Sequence, residues 1–487
     1  MLNKNNFESL KRNCDSILIK NLSIFTISNN VLNLIKGHPF HLKPYNQNPG
    51  KIFYNFFFYL FKNILDLIAS FTIHFSSKIE IPTKTVDVLL ISNLVNIERP
   101  ITNDYIFSDL EKNLKKKKVS YHKILVNHTS NARDLKKKKY NKKNISILEF
   151  KFTNYKNIFY ILFKQIKFFS FFLIKGLLET NKKKKKLLYI SAIEFLSLNT
   201  KRNINLYKNF ENILSKINFK KIILPYEGYS WERLILHSSK KKNKKIKCFG
   251  YHFSSISKFQ HSILRKIGTF YEPDIIFTTG TFSQKILKKN LKIPIKILGT
   301  NRFFKKKNKI NDQNVKNLKC LVLPEGIISE CKKLFEFSIQ LAKMFPKVSF
   351  IWRLHPTMHF YDILRIINKR FNYLPRNIIL SKKNFFKDIQ SAHICLYRGS
   401  TSAVTALQKG IIPVYYKDND LNIDPLFGLN KWKKTIMNTN DFKKIIDLKK
   451  NSLSSDTYNK KFAINFSLNY FKNFNANELI KELKDIN

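Results

Sequence analysis

Two apolar runs in this chain end in residues that bind anions. "SFIWRLHP" closes on His355 and Pro356, and "HICLYRGSTS" closes on Arg398, Gly399, Ser400, Thr401 and Ser402. Pro356 biases His355 towards an extended backbone, which would aim the imidazole off the end of a strand. Arg353, two residues earlier, falls on the same side of that strand. Gly399 lets the chain turn where a side chain would obstruct. Ser400 or Thr401 can cap the helix that follows, and the first turn of such a helix offers free N–H groups to a phosphate. The plainer readings are a satisfied structural histidine and a capped helix without a ligand.

A third corner, "PYEGYSWERL", sets Glu227 and Gly228 at the end of another apolar run, with Trp231 and Glu232 entering the next helix. A carboxylate facing a cleft can take the proton of an attacking hydroxyl. Glu227 could equally be a helix-entry or salt-bridge residue, and Glu232 reads as structural or as a group that orients a ligand. "LPEG" carries Glu325 and Gly326 at a fourth corner, placed to contact a nucleotide, and His252 ends the run "KIKCFGYHF" on the side of Glu227. "DND" at 418–420 has the spacing of a carboxylate pair for a metal-bound nucleotide but reads better as a solvated turn. The sequence contains no P-loop, HExxH, GxSxG, GxGxxG or zinc-finger pattern, and no metal site is expected.

The elements that would hold these corners alternate. From Thr85, strand-length apolar runs are separated by helical stretches: 86–92, 122–128 and 144–150, the apolar run "LLYISA" at 187–192, then 220–228, 245–253, 273–280 and 293–299. Helices are expected over 101–118, 203–217 and 230–241. A second series follows at 319–326, 347–356, 377–381, 393–398 and 411–416, with helices over 328–345, 361–371, 384–391 and 401–409. Leu334, Phe337, Leu341 and Phe345 form the stripe of the first of these helices. This alternation predicts an α/β chain of two doubly wound, Rossmann-like domains facing a cleft, with extra N-terminal helices. Ligands of such sheets bind beyond the carboxyl ends of the strands, where all four corners lie. The expected organisation is a helical, basic segment at 1–80, an acceptor domain at 81–302 with an amphipathic insertion at 153–180, a linker at 303–317, a nucleotide-donor domain at 318–434 and a helical tail at 435–487.

Composition narrows the partners. The chain has 487 residues, with 89 Lys and Arg against 33 Asp and Glu, a formal charge of +56. The lysine runs are scattered along the chain, which reads as compositional bias more than as a nucleic-acid stripe, although the field they create is real. The five cysteines are far apart and form no CxxC pair, as expected of free thiols in a reducing compartment. The start shows no cleavable signal peptide. Segments 53–75 and 157–179 are apolar but broken by Lys62, Asn63 and Asp66, and by Lys164, Gln165 and Lys167. A spanning helix wants about 20 apolar residues, so these fit amphipathic helices on a membrane face, or buried helices.

The order of "YEGYSWERLIL", "GYHFSS", "PDIIFTTG", "LGTNRF", "LPEGIISE", "RLHP", "YRGSTSAVTALQKGIIPVYY" and "DPL" resembles the surface carbohydrate biosynthesis proteins of bacterial O-antigen and capsule clusters, over roughly 220–430. These are glycosyltransferase-like with a two-Rossmann (GT-B) architecture. The corners also resemble those of bacterial sialyltransferases. That resemblance implies a base at Glu227 beside Gly228, a nucleotide phosphate at His355 and Pro356, and a hydroxyl contact from Ser400 and Thr401. Tyr226 stands where that motif usually has a first acidic residue. The resemblance implies no cofactor beyond a nucleotide-sugar donor, CMP-linked if the likeness extends to the base, and a lipid-linked glycan or polysaccharide as acceptor. It implies a cytoplasmic enzyme, peripheral on the anionic inner face of the plasma membrane, with no specific nucleic acid bound. Two alternatives stay open: a transferase moving a polyol phosphate from a CDP carrier into a teichoic-acid-like polymer, and a non-catalytic basic protein binding nucleic acid or anionic membrane.

Overall fold

Apolar runs without polar alternation must be covered on both faces, and the chain achieves this twice. The computed structural model describes residues 4–72, 83–95, 104–107, 109–129, 144–150, 155–302, 318–355, 358–367, 373–418, 421, 424–451 and 457–484. Strands β1 (Lys84–Leu94), β2 (Tyr121–Asn127), β3 (Ile145–Leu148), β4 (Ile217–Pro225), β5 (Lys247–His252), β6 (Ile275–Thr278) and β7 (Ile295–Ile297) form one parallel sheet, ordered β3-β2-β1-β4-β5-β6-β7. Strands β8 (Lys319–Leu323), β9 (Ser349–Trp352), β10 (Ile378–Leu380), β11 (Ile394–Tyr397), β12 (Ile412–Tyr416) and β13 (Lys434–Ile436) form a second, ordered β10-β9-β8-β11-β12-β13. The expected class of two Rossmann-like domains is therefore present. Strand order reverses at β1/β4 and at β8/β11, the positions where such sheets open a ligand crevice.

The helices, in chain order, are α1 (Lys4–Lys20), α2 (Ile24–Ser28), α3 (Pro39–Leu42), α4 (Pro49–Thr72), α5 (Leu110–Lys116), α6 (Tyr155–Leu178), α7 (Lys182–Phe195), α8 (Leu198–Leu214), α9 (Ser230–Lys242), α10 (Thr281–Asn290), α11 (Ile328–Met344), α12 (Phe360–Ile366), α13 (Phe385–Ser391), α14 (Ser402–Leu407), α15 (Thr439–Asn451), α16 (Thr457–Tyr470) and α17 (Asn477–Lys484). Phe7, Leu18, Phe25, Phe172, Phe195 and Tyr207 share one core that joins α1 and α2 to α6, α7 and α8. The N-terminal helices and the 153–180 insertion thus form a single layer.

In α4 and α6 the usual amphipathicity is inverted. Asn63 is buried and donates to the Leu196 carbonyl at 2.8 Å, Asp66 pairs with Lys201 at 2.8 Å, and Gln165 donates to the Phe195 carbonyl at 2.6 Å. Of the polar breaks, Asn63 and Gln165 point inward and are satisfied there, whereas Lys167 is exposed and Lys62 and Lys164 lie half-buried over the rings of Phe58 and Tyr160. Outward stand Phe53, Phe57, Phe61, Ile64 and Ile68 on α4, and Phe163, Ile166, Ile174 and Leu177 on α6, each more than a third exposed. Among the described residues no helix is long and apolar enough to cross a membrane.

Some elements differ from expectation. Of the helix expected over 101–118, the described residues are α-helical over Leu110–Lys116, and at 104–107 the Asp104 carboxylate accepts the N–H groups of Ile106 and Phe107 and makes a turn instead. "LLYISA" is helical, inside α7, where its apolar residues face the helical layer. The 303–317 linker lies outside the described residues. Lys434–Ile436 adds β13 to the second sheet before the helical tail begins. The tail returns to the first sheet: Leu479 and Leu483 pack with Val88 and Leu90, and the Asn475 N–H donates to Leu298 at 2.8 Å.

Gly299 makes that return possible. Its φ is +79°, and a β-carbon there would lie 2.1 Å from the Asn473 carbonyl oxygen. Gly299→Ala should therefore cost more than about 2 kcal/mol, the backbone strain plus overpacking. Gly268→Ala, at φ +116° with open space around it, serves as the control and should cost less. Equal losses in denaturant melts would show that the tail contact is unimportant.

Candidate functional site

The turn after β4 is built around one carboxylate. A single oxygen of Glu232, one turn into α9, accepts the N–H groups of Glu227, Gly228 and Tyr229 at 2.8, 2.7 and 2.9 Å. Gly228 is required here: φ is +84°, and a β-carbon would lie 2.7 Å from the Ser262 carbonyl carbon. The Gly228 carbonyl accepts from Asn33 at 3.1 Å and from the buried guanidinium of Arg233 at 3.4 Å. Burial and the neighbouring Glu227 push the Glu232 carboxyl well up, against the pull of the three N–H donors. Glu232 is thus the structural member of the pair. Trp231 packs in the core with its ring 5.6 Å from that of His128, so it is not presented to an acceptor. Tyr226 is core as well, with burial raising its phenol.

Glu227 differs from its neighbours. It is only 6% exposed, yet its carboxylate makes no hydrogen bond or ion pair among the described residues. His252, at the end of the adjacent β5, is fully buried with both ring nitrogens unpartnered. Burial pushes its imidazole down to about 4, so it is neutral at pH 7, with one N–H and one lone pair. Arg302, Tyr105 and Lys36 lie within electrostatic reach of this pair. Buried polar groups are normally satisfied, and an unsatisfied buried imidazole beside a carboxylate at adjoining strand ends marks a candidate place for a ligand.

The corners of the second domain converge. A β-carbon on Gly399 would lie 2.4 Å from the Glu325 carboxylate, and one on Gly326 would lie 2.8 Å from the His355 ring. Glu325, Gly326, His355 and Gly399 therefore stack at the β8/β11 switch point. Gly399 serves this close approach rather than a left-handed turn, since its φ is not positive. Ser400 is buried, and Thr401 and Ser402 are partly exposed beside it. Thr401 stands at the start of α14 without a side-chain capping bond, and α14 has six residues, so any anion seat here rests on side chains more than on a helix end. Pro356 lies outside the described residues, as do positions 419 and 420 of the "DND" stretch, while Asp418 pairs with Lys333 at 2.7 Å.

Both arginines expected to face a phosphate are committed elsewhere. Arg398 is buried against Glu330 at 2.5 Å, and Arg353 pairs with Asp388 at 2.8 Å. Moving the buried Arg398 off Glu330 would leave an uncompensated charge, whereas Arg353 is partly exposed beside Asp388.

The segment between the domains carries residues that sequence reading passed over. His38 caps α3, and its Nε2 lies 3.3 Å from the Glu325 carboxylate. His41, in the same short helix, has its ring 6.4 Å from that of Tyr229. One stretch of chain thus touches the Glu227 corner on one side and the Glu325 corner on the other. The only signal was two histidines three apart beside a proline, and no spacing rule distinguishes that pattern. Among the described residues no group of three His, Cys, Asp or Glu is arranged to hold a metal ion, and all five cysteines are buried free thiols.

No family model matches the chain, and no curated protein matches it. Solved structures do. The UDP-GlcNAc 2-epimerase from Neisseria meningitidis bound to UDP-GlcNAc is 13% identical, covering 81% of this chain and 98% of that one, with a TM-score of 0.49. The kitacinnamycin glycotransferase is 9% identical, with coverage of 82% and 99% and a TM-score of 0.48. Acinetobacter baumannii MurG is 10% identical, with coverage of 82% and 100% and a TM-score of 0.47. At such identities and scores the fold assignment rests on the strand order itself.

Burial holds His252, His122 and His261 each at about 4 when folded, below the ordinary histidine value near 6.5. The unfolded chain therefore binds more protons between these values, and stability falls as pH drops from about 6.5 to 4, by about 1.4 kcal/mol per pH unit for each such histidine. Thermal melts between pH 7 and 5 should show this slope, and His252→Phe should flatten it.

Proposed function

We propose that this chain is a glycosyltransferase that uses a nucleotide-sugar donor without a protein-bound metal, and that its acceptor is a lipid-linked glycan or growing surface polysaccharide. The observation that carries the reading is the buried, unpartnered imidazole of His252 beside the Glu227 carboxylate at the end of the first sheet, with Glu325, His355 and Gly399 stacked at the end of the second. In this reading Glu227 deprotonates the acceptor hydroxyl and neutral His252 orients it. The donor diphosphate or phosphate lies against His355 and the hydroxyls of Ser400, Thr401 and Ser402. His355 balances the charge that develops on the departing phosphate, and the two ion-paired arginines fix the backbone around it. His38, held by Glu325, lies between donor and acceptor. The exposed apolar stripes of α4 and α6, with the strongly basic surface, support a peripheral position on an anionic membrane.

Thermal shifts with CMP, CDP, UDP and GDP test the donor site. A nucleotide at 100 times its Kd should stabilise the protein by about 2.7 kcal/mol, and His355→Ala should remove the shift. With the donor sugar so identified, Glu227→Gln should lower kcat by about 10²- to 10⁴-fold while leaving the nucleotide shift intact. Absence of any nucleotide shift, together with salt-dependent binding to DNA, would overturn the enzyme reading in favour of a non-catalytic basic protein.

A further inference from the structure

A cavity of about 610 Å³ lies in the helical layer, between the start of α4, the second half of α6 and α7. This is within the roughly 300–1,000 Å³ of ordinary ligand pockets. Its walls are apolar, with Ile52 and Phe56 from α4, Phe169 and Leu173 from α6, and Ile193 from α7. Phe56 and Phe169 stack at 5.4 Å. Lys182, Lys185 and Lys186 also line it. None of these three lysines forms an ion pair among the described residues, whereas Lys184 beside them is taken by Glu179 at 2.7 Å. The cavity is flanked by the outward apolar stripes of α4 and α6, and Phe53, which is 66% exposed, belongs to both.

An apolar cavity partly walled by three lysines that form no ion pair, beside an apolar surface, suits a hydrocarbon chain ending in a phosphate. We infer that this cavity is a lipid-phosphate site. The chain lies between α4 and α6, and the phosphate sits on Lys182, Lys185 and Lys186. Pro49, at the start of α4, is eight residues from His41, so the site is no more than about 29 Å along the chain from the interdomain segment. A phosphate held here belongs to the carrier of the acceptor; that role rests on the transferase proposal, whereas the binding itself does not.

The test is calorimetric titration of the full chain with octyl, decyl and dodecyl phosphate below their micellar concentrations. Inorganic phosphate and dodecyl maltoside are the comparison ligands. Affinity should rise about fourfold per methylene and exceed that for inorganic phosphate and the maltoside. Leu173→Trp, which fills the chamber, should abolish the chain-length dependence. Replacing the three lysines by Ser should weaken alkyl phosphates at least about tenfold and leave the maltoside unchanged. Thermal melts of the same variants without ligand report whether they fold, and the nucleotide shift of the unaltered chain tests the donor site separately, so failure of one reading leaves the other readable. Equal binding of inorganic phosphate, equal binding of the maltoside, or a chain-length dependence that survives Leu173→Trp would each overturn the inference.

Discussion

One carboxylate oxygen, on Glu232, gathers three consecutive backbone N–H groups and so holds the turn that carries Glu227. The constraint runs outward from there. Gly228 must adopt a positive φ, Ser262 must approach it without a side chain between, and Asn33 and Arg233 must complete its carbonyl. The N-terminal helical segment, the first sheet and the loop after β5 are thereby tied at one point. With Glu232 spent on the backbone, Glu227 is the carboxylate of this corner left to meet a ligand.

The same division of labour governs the charges. Only 33 acidic residues face 89 basic ones, and the buried cations claim acidic partners: Lys123 takes Asp104 and Glu111, Lys240 takes Asp274, and Arg398 takes Glu330. A buried charge without a partner is far more costly than an exposed one, so these buried cations are met by carboxylates, and the fully buried Arg233 by backbone carbonyls. The exposed lysines are left over, and they supply the field that an anionic surface would feel. The apolar stripes of α4 and α6 are the counterpart. Asn63 and Gln165 are used inside the protein, and the face left for the surroundings is largely hydrocarbon, with Lys51 and Lys167 exposed on it.

Much of the scaffold was legible in the sequence. Continuous apolar runs such as "VDVLLIS" and "KIILP" require burial on both faces, and their alternation with helices leaves a parallel sheet as the solution. The corners after β4, β8, β9 and β11 followed from polar residues at the ends of those runs, and the structure does gather the last three into one place. Short or ambiguous elements were not legible. Three residues of β13 carry no period, and "LLYISA" has the same apolar content as a strand while its neighbours in space make it a helix. The turn at Asp104 depends on a side chain bonding its own backbone, which competes with helix in a way that composition does not reveal.

What the sequence by itself determined, then, was the class of fold and which residue types stand at the strand ends, because both depend on local apolar pattern and chain order. Only tertiary structure decided which of those residues are free. Arg353 and Arg398 read as free cations at strand ends, and the fold sets Asp388 and Glu330, distant in sequence, against them. Glu232 read as structural or ligand-orienting from the sequence, and only the fold showed that what it holds is the turn that carries Glu227. His38 and His41 had no meaning until the fold laid them between two sheets. Pairing and burial are set by neighbours far along the chain, and that is the information a one-dimensional pattern lacks.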